Sequence, residues 1–170
     1  MRKLVFLTAM VAMITSTAFA AHPAGSLALG WVDWKAPIGV RYQIAEKIAG
    51  DIGFGFASYD GGNTEIRVHV GLPIELIGHD RCSLDFRPGV SVDYTSPENE
   101  NVDSWMDLVL HGWLAFNLMI TDNLGLNAAH GVDIEINGEQ KAGDVVLAES
   151  TTDFMTTSSD VTNLGLFFWF

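Results

Sequence analysis

The feature that most constrains the fold is an alternation of apolar and polar residues along most of the chain. In TEIRVHVGLPIEL, residues 64–76, every second side chain from Ile66 to Leu76 is apolar, and polar or charged residues such as Arg67 fill most positions between them. A period of two is that of a β-strand with one apolar and one polar face. The same alternation predicts further strands at residues 26–33, 38–44, 51–58, 82–94, 104–120, 125–136 and 162–170.

Turn-forming residues separate these eight strands, as in DGGN at 60–63 and GHDR at 78–81. The segment 104–120 is longer than the roughly 9–11 residues that cross a bilayer as a tilted strand. It is therefore predicted to protrude, to bend near Gly112 or to be helical in part. Its apolar residues keep one parity from Met106 to Ile120, which favours a strand.

The first 20 residues have the three-part layout of a secretory signal peptide. Arg2 and Lys3 precede an apolar stretch, and small residues then lead to Ala18-Phe19-Ala20, a typical cleavage site. The apolar stretch falls short of the roughly 20 residues of a membrane-spanning helix. We expect export, cleavage after Ala20 and a single mature domain of residues 21–170.

Charge and cysteine content exclude other classes of protein. The chain has 21 acidic and 9 basic residues, and no basic stripe reverses that balance, so nucleic acid is not an expected partner. Cys82 is the single cysteine, which excludes an internal disulfide. The five histidines are scattered without the close spacing of a zinc site, so neither a metal nor another cofactor is predicted.

Amphipathic strands can turn their apolar faces inward, as in a soluble sandwich or barrel, or outward into lipid. Inside a small membrane barrel, the charged residues of the polar faces would form a paired network. Its predicted members are Arg41, Glu65, Arg67, Asp85, Arg87, Asp133 and Glu135. The charges fit both arrangements, but the polar faces are also rich in glycine, which a narrow interior needs to make room for long side chains. Glycine therefore favours the membrane arrangement.

The last nine residues, TNLGLFFWF, are unusually apolar for a chain end, since chain ends normally fray in water. Asn163-x-Gly165-x-x-Phe168-x-Phe170 resembles the C-terminal signature of bacterial outer membrane β-barrel proteins, and the chain looks similar to the small OmpA-type and OmpX-type barrels. The resemblance implies a closed antiparallel up-and-down eight-stranded transmembrane β-barrel. It further implies a location in the outer membrane of a Gram-negative-type cell, contact with outer membrane lipid, and a final strand that the barrel-assembly machinery reads.

The same reading predicts where the aromatic side chains lie. In the final strand, the outward positions are Leu164, Leu166, Phe168 and Phe170, and the inward ones are Asn163, Gly165, Phe167 and Trp169. The two inward aromatics would plug the periplasmic mouth. Aromatic girdles are expected at both interfaces. Their predicted members are Trp34, Tyr59, Tyr94 and Trp105 at the outer surface and Tyr42, Phe54, Phe116 and Phe170 at the periplasmic side, although strict alternation points Trp34, Tyr59 and Trp105 inward.

Three functions remain open for such a chain. An eight-stranded barrel is filled by its own side chains, so a diffusion pore is not expected, and a non-enzymatic structural or surface-contact role is preferred. The alternatives are a soluble periplasmic or secreted barrel that binds an apolar ligand, and a lipid-modifying barrel enzyme. The enzyme's candidates are His111, near Asp107, and His130, but neither has a serine at alternate spacing and no G-x-S-x-G motif is present. No catalytic residue is therefore predicted.

The segment 137–161 is the candidate contact site for a surface partner. It is predicted to extend the last two strands as a protruding hairpin, with Val145, Val146, Leu147 and Phe154 along an exposed edge. Binding residues often lie on loops that a rigid scaffold holds, and an exposed strand edge can pair with a partner strand.

Overall fold

A computed structural model of the chain describes residues 22–33, 35–59, 62–156 and 162–170. These residues form twelve β-strands and no helix, so the all-β class is confirmed. None of the described segments is a helix that is long and apolar enough to span a membrane. The predicted signal peptide and Trp34 lie outside the described residues.

The strands are β1 (Leu27–Gly30), β2 (Ile38–Ala45), β3 (Ile48–Ser58), β4 (Thr64–Gly71), β5 (Ile74–His79), β6 (Cys82–Ser96), β7 (Trp105–Met119), β8 (Leu124–Asn137), β9 (Gln140–Ala142), β10 (Val145–Ala148), β11 (Thr151–Met155) and β12 (Thr162–Trp169).

Ten of these strands share eight positions in the wall of one sheet. β4 and β5 run in line along β6, with Pro73 between them; proline has no N–H to donate, which favours an interruption there. β11 and β12 likewise run in line along β8. β9 and β10 form a separate two-stranded sheet and lie between β8 and β11 in the chain.

The eight wall positions close into an antiparallel up-and-down barrel, as predicted. Each position pairs with the next in chain order, and β12 pairs back with β1, where Ala28 is opposite Trp169. Beside this seam, the Phe170 N–H donates to the Leu27 carbonyl at 2.9 Å. We call the end of the barrel where β1 begins and β12 ends the near end, and the opposite end the far end.

The barrel has a charged interior and an apolar exterior. On β2 and β3, Arg41 and Asp51 are 5% and 0% exposed, whereas Ile38 and Ile52 are 75% and 61% exposed. The contrast follows from the alternation, because successive side chains of a strand point to opposite faces. Proteins that fold in water normally show the reverse distribution. In the part of the chain that the structure describes, the buried polar and charged residues are Asp33, Arg41, Gln43, Asp51, Arg67, His69, Asp85, Arg87, Ser91, Asp93, His111, Asn127, Asp133 and Asn163.

The aromatic residues predicted for the girdles mostly lie on the outside. The exposed ones are Tyr42, Phe54, Tyr59, Tyr94, Phe116 and Phe170, while Trp105 is half-buried. Tyr59 follows β3 and is 52% exposed, and its side chain lines a cavity together with Gly55, Glu65 and Arg67. Its hydroxyl lies 3.0 Å from a carboxylate oxygen of Glu65.

The described residues between β1 and β2, 31–33 and 35–37, turn toward the inside of the barrel, and we call them the inward segment. β1 ends at Gly30, earlier than the predicted strand end at residue 33, and Val32 and Ala36 in the following segment are 0% exposed. Gly55 on β3 faces this segment so closely that a Cβ atom there would lie 1.6 Å from the Lys35 carbonyl oxygen. Glycine on the inner face therefore makes room for a chain segment, not only for long side chains.

Two segments whose structure was uncertain from sequence form strands. Residues 104–120 contain one continuous strand, β7, and are not helical. β6, β7 and β8 have 15, 15 and 14 residues, so this side of the wall extends beyond the short β1 side. The segment 137–161 contains β9, β10 and β11, as expected for a hairpin, and residues 157–161 lie outside the described part.

Candidate functional site in the barrel interior

The charged residues predicted for the interior lie at inward positions of the strands. Arg41, Arg67, Arg87, Asp85 and Asp133 are buried, and Glu65 and Glu135 are half-buried. Among the described residues, three further buried carboxylates belong to the network and were not predicted: Asp33, Asp51 and Asp93. The sequence alone indicates an inward position for two of them, because Asp51 has the same parity as Gly53, and Asp93 has the same parity as Asp85. It does not indicate one for Asp33, since the position of Asp33 depends on how the inward segment turns into the barrel.

In the near half of the interior, Asp51 pairs with two arginines. Arg41 donates from Nε to Oδ1 at 2.7 Å and from Nη2 to Oδ2 at 2.8 Å, and Arg87 Nη2 donates to Oδ2 at 2.5 Å. Arg87 Nη1 also donates to Asn127 Oδ1 at 2.9 Å. The Asp51 side chain is completely buried, and buried charges are stable only when they are paired and hydrogen-bonded. One carboxylate thus holds strands β2, β3 and β6 together.

The near mouth of the barrel is filled by aromatic side chains. Phe167 and Trp169 are 2% and 6% exposed and pack with Ala28 and Val32. The guanidinium of Arg41 lies 4.2 Å from the centre of the Phe167 ring, a cation–π geometry. The predicted inward direction of Phe167 and Trp169 is therefore correct. The predicted outward direction of Leu164, Leu166, Phe168 and Phe170 is also correct, with exposed fractions of 46–69%.

In the far half, Arg67 links the wall to the inward segment. It donates two hydrogen bonds to Asp93 and one from Nη1 to Asp33 Oδ2 at 3.2 Å. Lys35 lies farther out, with Nζ 3.7 Å from Glu65 and 3.9 Å from Asp93. The backbone of the inward segment is held as well, because Asn163 Nδ2 donates to the Val32 carbonyl at 2.7 Å.

Between the two halves runs a chain of hydrogen bonds through four polar side chains. His69 Nδ1 lies 2.9 Å from Ser91 Oγ, and Ser91 Oγ lies 2.7 Å from His111 Nε2. On its other side, His111 Nδ1 lies 2.8 Å from Asp133 Oδ1. Trp113 Nε1 donates to the same oxygen at 2.8 Å. A carboxylate oxygen accepts hydrogen bonds, so His111 donates to Asp133 from Nδ1.

Ser91, His111 and Asp133 have the bonding order of a hydrolase triad, but not its accessibility. A nucleophilic serine must meet its substrate, whereas Ser91 is 0% exposed and its oxygen contacts two imidazoles. The chain of hydrogen bonds therefore satisfies buried polar groups of neighbouring strands. Sequence spacing did not reveal it, because His69 and Ser91 are opposite each other across β4 and β6, and His111 and Asp133 across β7 and β8.

The two histidines considered for catalysis lie on opposite faces of the wall. His111 is buried inside, and its carboxylate partner is Asp133 instead of the predicted Asp107. Asp107 accepts a hydrogen bond from the Gly138 N–H at 2.8 Å. His130 is exposed on the outer face, as its parity predicted. The two imidazoles cannot act on one substrate atom from opposite sides of the wall.

The interior also brings three possible metal ligands together. Asp33, His69 and His111 each offer one ligand atom, and these atoms all lie within 4.8 Å of one another. All three residues are buried. Sequence spacing could not show this group, because it joins the inward segment to β4 and β7.

The hairpin between β8 and β12 forms the candidate contact surface. Val145, Val146, Leu147 and Phe154 are 45–66% exposed. Glu139 lies 2.6 Å from Lys141 Nζ, and its hydrogen bond raises the pKa of Lys141 above the ordinary value. In the described part of the chain, β10 pairs with β9 alone and β11 with β8 alone, so each presents a second edge.

No family model, curated protein or solved structure matches the chain. The fold and the interior define its class on their own: a closed eight-stranded antiparallel barrel with an apolar exterior and an interior filled by paired charges and aromatic side chains.

Proposed function

We propose that this chain is an outer membrane β-barrel protein with a filled lumen and a non-enzymatic structural or surface-contact role. The observation that carries the proposal is the exposed apolar exterior around a buried charged interior. This distribution is favourable in lipid, because hydrocarbon contacts the apolar outer face while the charged side chains pair with each other inside the barrel.

The magnitudes favour lipid over water. Burying a Val, Leu, Ile or Phe side chain is worth about 1.5–3 kcal/mol, and folded domains are stable by only about 5–15 kcal/mol. The exposed exterior includes Ile38, Ile52, Phe56, Val68 and Val70 among many others. Ten such side chains left in water would forfeit more than the whole stability of a typical domain.

Closure of the wall supports the same environment. In hydrocarbon, each backbone polar group needs a partner within the protein, so spanning sheets must have no open edge. The pairing of β12 with β1 removes that edge at the near end. The soluble alternative, a barrel with an apolar ligand inside, would need an apolar cavity, whereas Arg41, Asp51, Arg87 and Asp133 line this interior.

A filled lumen argues for a role other than transport. The cavity at the near mouth holds about 60 Å³ and the one beside Asp133 about 30 Å³, so these two accommodate a few waters at most. A larger cavity of about 270 Å³ lies toward the far end, beside Lys35, Glu65 and Arg67. The buried state of Ser91 supports a non-enzymatic role. Surface contact would then be a role of the β9–β10 hairpin and its exposed apolar residues. Assembly would be a role of β12 and Phe170, since residues 163–170 carry the resemblance to the outer membrane signature.

Cell fractionation followed by a denaturing gel tests the proposal. Unheated and boiled samples of the outer membrane are compared for the wild type, a Phe170 deletion and the control Phe154→Ala, which changes an exposed residue of β11. We expect a fast-migrating unheated band that disappears on boiling, depletion of that band by the deletion, and no effect of the control. Recovery of the wild type only in the soluble periplasmic fraction would refute the proposal.

A further inference from the structure

The strongest unexplained feature is the group formed by Asp33, His69 and His111. Asp33 comes from the inward segment, His69 from β4 and His111 from β7, and their exposed fractions are 2%, 2% and 6%. One carboxylate and two imidazoles are a ligand set that suits first-row divalent metal ions.

The distances suit a metal ion. Zn²⁺ lies about 2.0–2.2 Å from nitrogen and oxygen ligands. Three ligand atoms no more than 4.8 Å apart reach an ion at their centre if each moves by at most about 0.7 Å. The Ser91 hydroxyl contacts the nitrogens of both histidines, at 2.9 and 2.7 Å, and supplies a neutral oxygen next to the same point.

An outer shell of hydrogen bonds already orients one ligand. Metal-bound histidines generally donate their other N–H to a carboxylate or carbonyl. His111 makes this bond to Oδ1 of Asp133, and Trp113 Nε1 donates a second hydrogen bond to the same oxygen. Because Nδ1 is used in the bond to Asp133, Nε2 is the nitrogen of His111 that is left to bind an ion.

The charge around the group favours a cation. Among the described residues around the group, the buried carboxylates are Asp33, Asp93 and Asp133. The cations are the guanidinium of Arg67, which pairs with Asp33 and Asp93, and the more exposed ammonium of Lys35. By contrast, the described partners of Asp133 are His111 and Trp113 and include no arginine or lysine. A buried carboxylate without a cation is costly, so a divalent ion would improve the balance.

From these observations we infer that the barrel interior holds one divalent metal ion of the Zn²⁺ type, bound by Asp33, His69 and His111. Two nitrogen ligands select against Mg²⁺ and Ca²⁺, which prefer oxygen. The ion has a structural role, because it ties the inward segment to β4 and β7. The inference is independent of the proposed location in a membrane.

Metal titration of the full barrel tests the inference. The protein is purified from cells in detergent micelles, stripped with a chelator, and titrated with Zn²⁺ by calorimetry and with Co²⁺ by visible absorption. We expect one ion per chain, the absorption bands of Co²⁺ with nitrogen ligands, a rise in the temperature at which the fast-migrating gel band is lost, and no binding of Mg²⁺ or Ca²⁺ at the site.

Four substitutions and one control localise the ion. His69→Gln, His111→Gln and Asp33→Asn each remove a ligand and should weaken Zn²⁺ binding by at least tenfold. Asp133→Asn alters the outer shell and should weaken it by about 10–100-fold. His130→Gln removes an imidazole from the exposed outer face and should leave the affinity unchanged.

Absence of stoichiometric Zn²⁺ binding by the wild type would overturn the inference, as would equal affinity in the ligand variants. If the histidine variants fail to form the heat-modifiable band, Asp33→Asn decides, because Asp33 lies outside the strands of the wall; unchanged affinity in that variant overturns the site. Micelle-based binding does not depend on cell location, so its failure leaves the proposed function untouched.

Discussion

Removing the charge of Asp51 should strongly destabilise the barrel. Asp51 is the shared partner of Arg41 and Arg87, at N–O distances of 2.5–2.8 Å, and is 0% exposed. Asp51→Asn keeps the shape of the side chain but leaves two buried guanidinium groups without their carboxylate. Breaking a buried ion pair in this way costs about 3–5 kcal/mol of unfolding free energy.

The assay is urea unfolding of the barrel in micelles, followed by the loss of the fast-migrating gel band. The matched control is Glu139→Gln, which also removes a carboxylate from an ion pair, but one whose side chains are 39% and 45% exposed. Exposed pairs contribute little because water and salt screen them, so the control should shift the midpoint far less. Addition of Arg87→Met to Asp51→Asn should recover part of the loss, because one unpaired charge is removed.

Equal midpoints for Asp51→Asn and Glu139→Gln would refute this account of the interior. Such a result would mean that water reaches Arg41 and Arg87 and solvates them, and that the interior is an aqueous space instead of a packed network.

Three further predictions concern the wall, the inward segment and the hydrogen-bonded serine. Val68→Arg places a charge on the outer face, where Val68 is 44% exposed. It should lower the free energy of unfolding in lipid vesicles by about 2–4 kcal/mol if the residue lies near the bilayer midplane. Urea unfolding measures this loss, and an unchanged unfolding midpoint would contradict the proposed membrane location. Gly55→Ala should lower the temperature at which half of the fast-migrating gel band is lost, because the added Cβ would lie 1.6 Å from the Lys35 carbonyl oxygen. In the control Gly112→Ala, the nearest atom to the added Cβ is 3.4 Å away, so this variant should be tolerated. Ser91→Ala should leave the mass spectrum of outer membrane lipids identical to that of cells producing the wild type, and a lipid species that depends on Ser91 would show an enzyme.

The wall of the barrel could be predicted because the alternation is a local property of the sequence. Residues 64–76 show both faces of a strand without any knowledge of its neighbours, and the same holds for most of the chain. The weaker predictions were those in which tertiary packing decides. β1 ends at Gly30 because the following segment turns into a space that inner glycines such as Gly55 leave open.

The partners in the interior could not be predicted, because they depend on register. His111 and Asp107 share one strand and one face, so sequence spacing favoured that pair. In the structure, His111 faces Asp133 directly across β7 and β8 and Ser91 diagonally across β6 and β7. Knowledge of the register alone would have replaced Asp107 by Asp133.

The most direct test of the central claim is the accessibility of spin labels on the outer face of the purified barrel in lipid vesicles. Single cysteines at Ile52, Phe54, Val68 and Val70, introduced with Cys82→Ser, carry a nitroxide at positions that are 44–61% exposed. A barrel with lipid around it predicts efficient relaxation by oxygen, which concentrates in hydrocarbon, and little relaxation by a water-soluble nickel complex. Efficient relaxation by the nickel complex at all four positions would contradict the account.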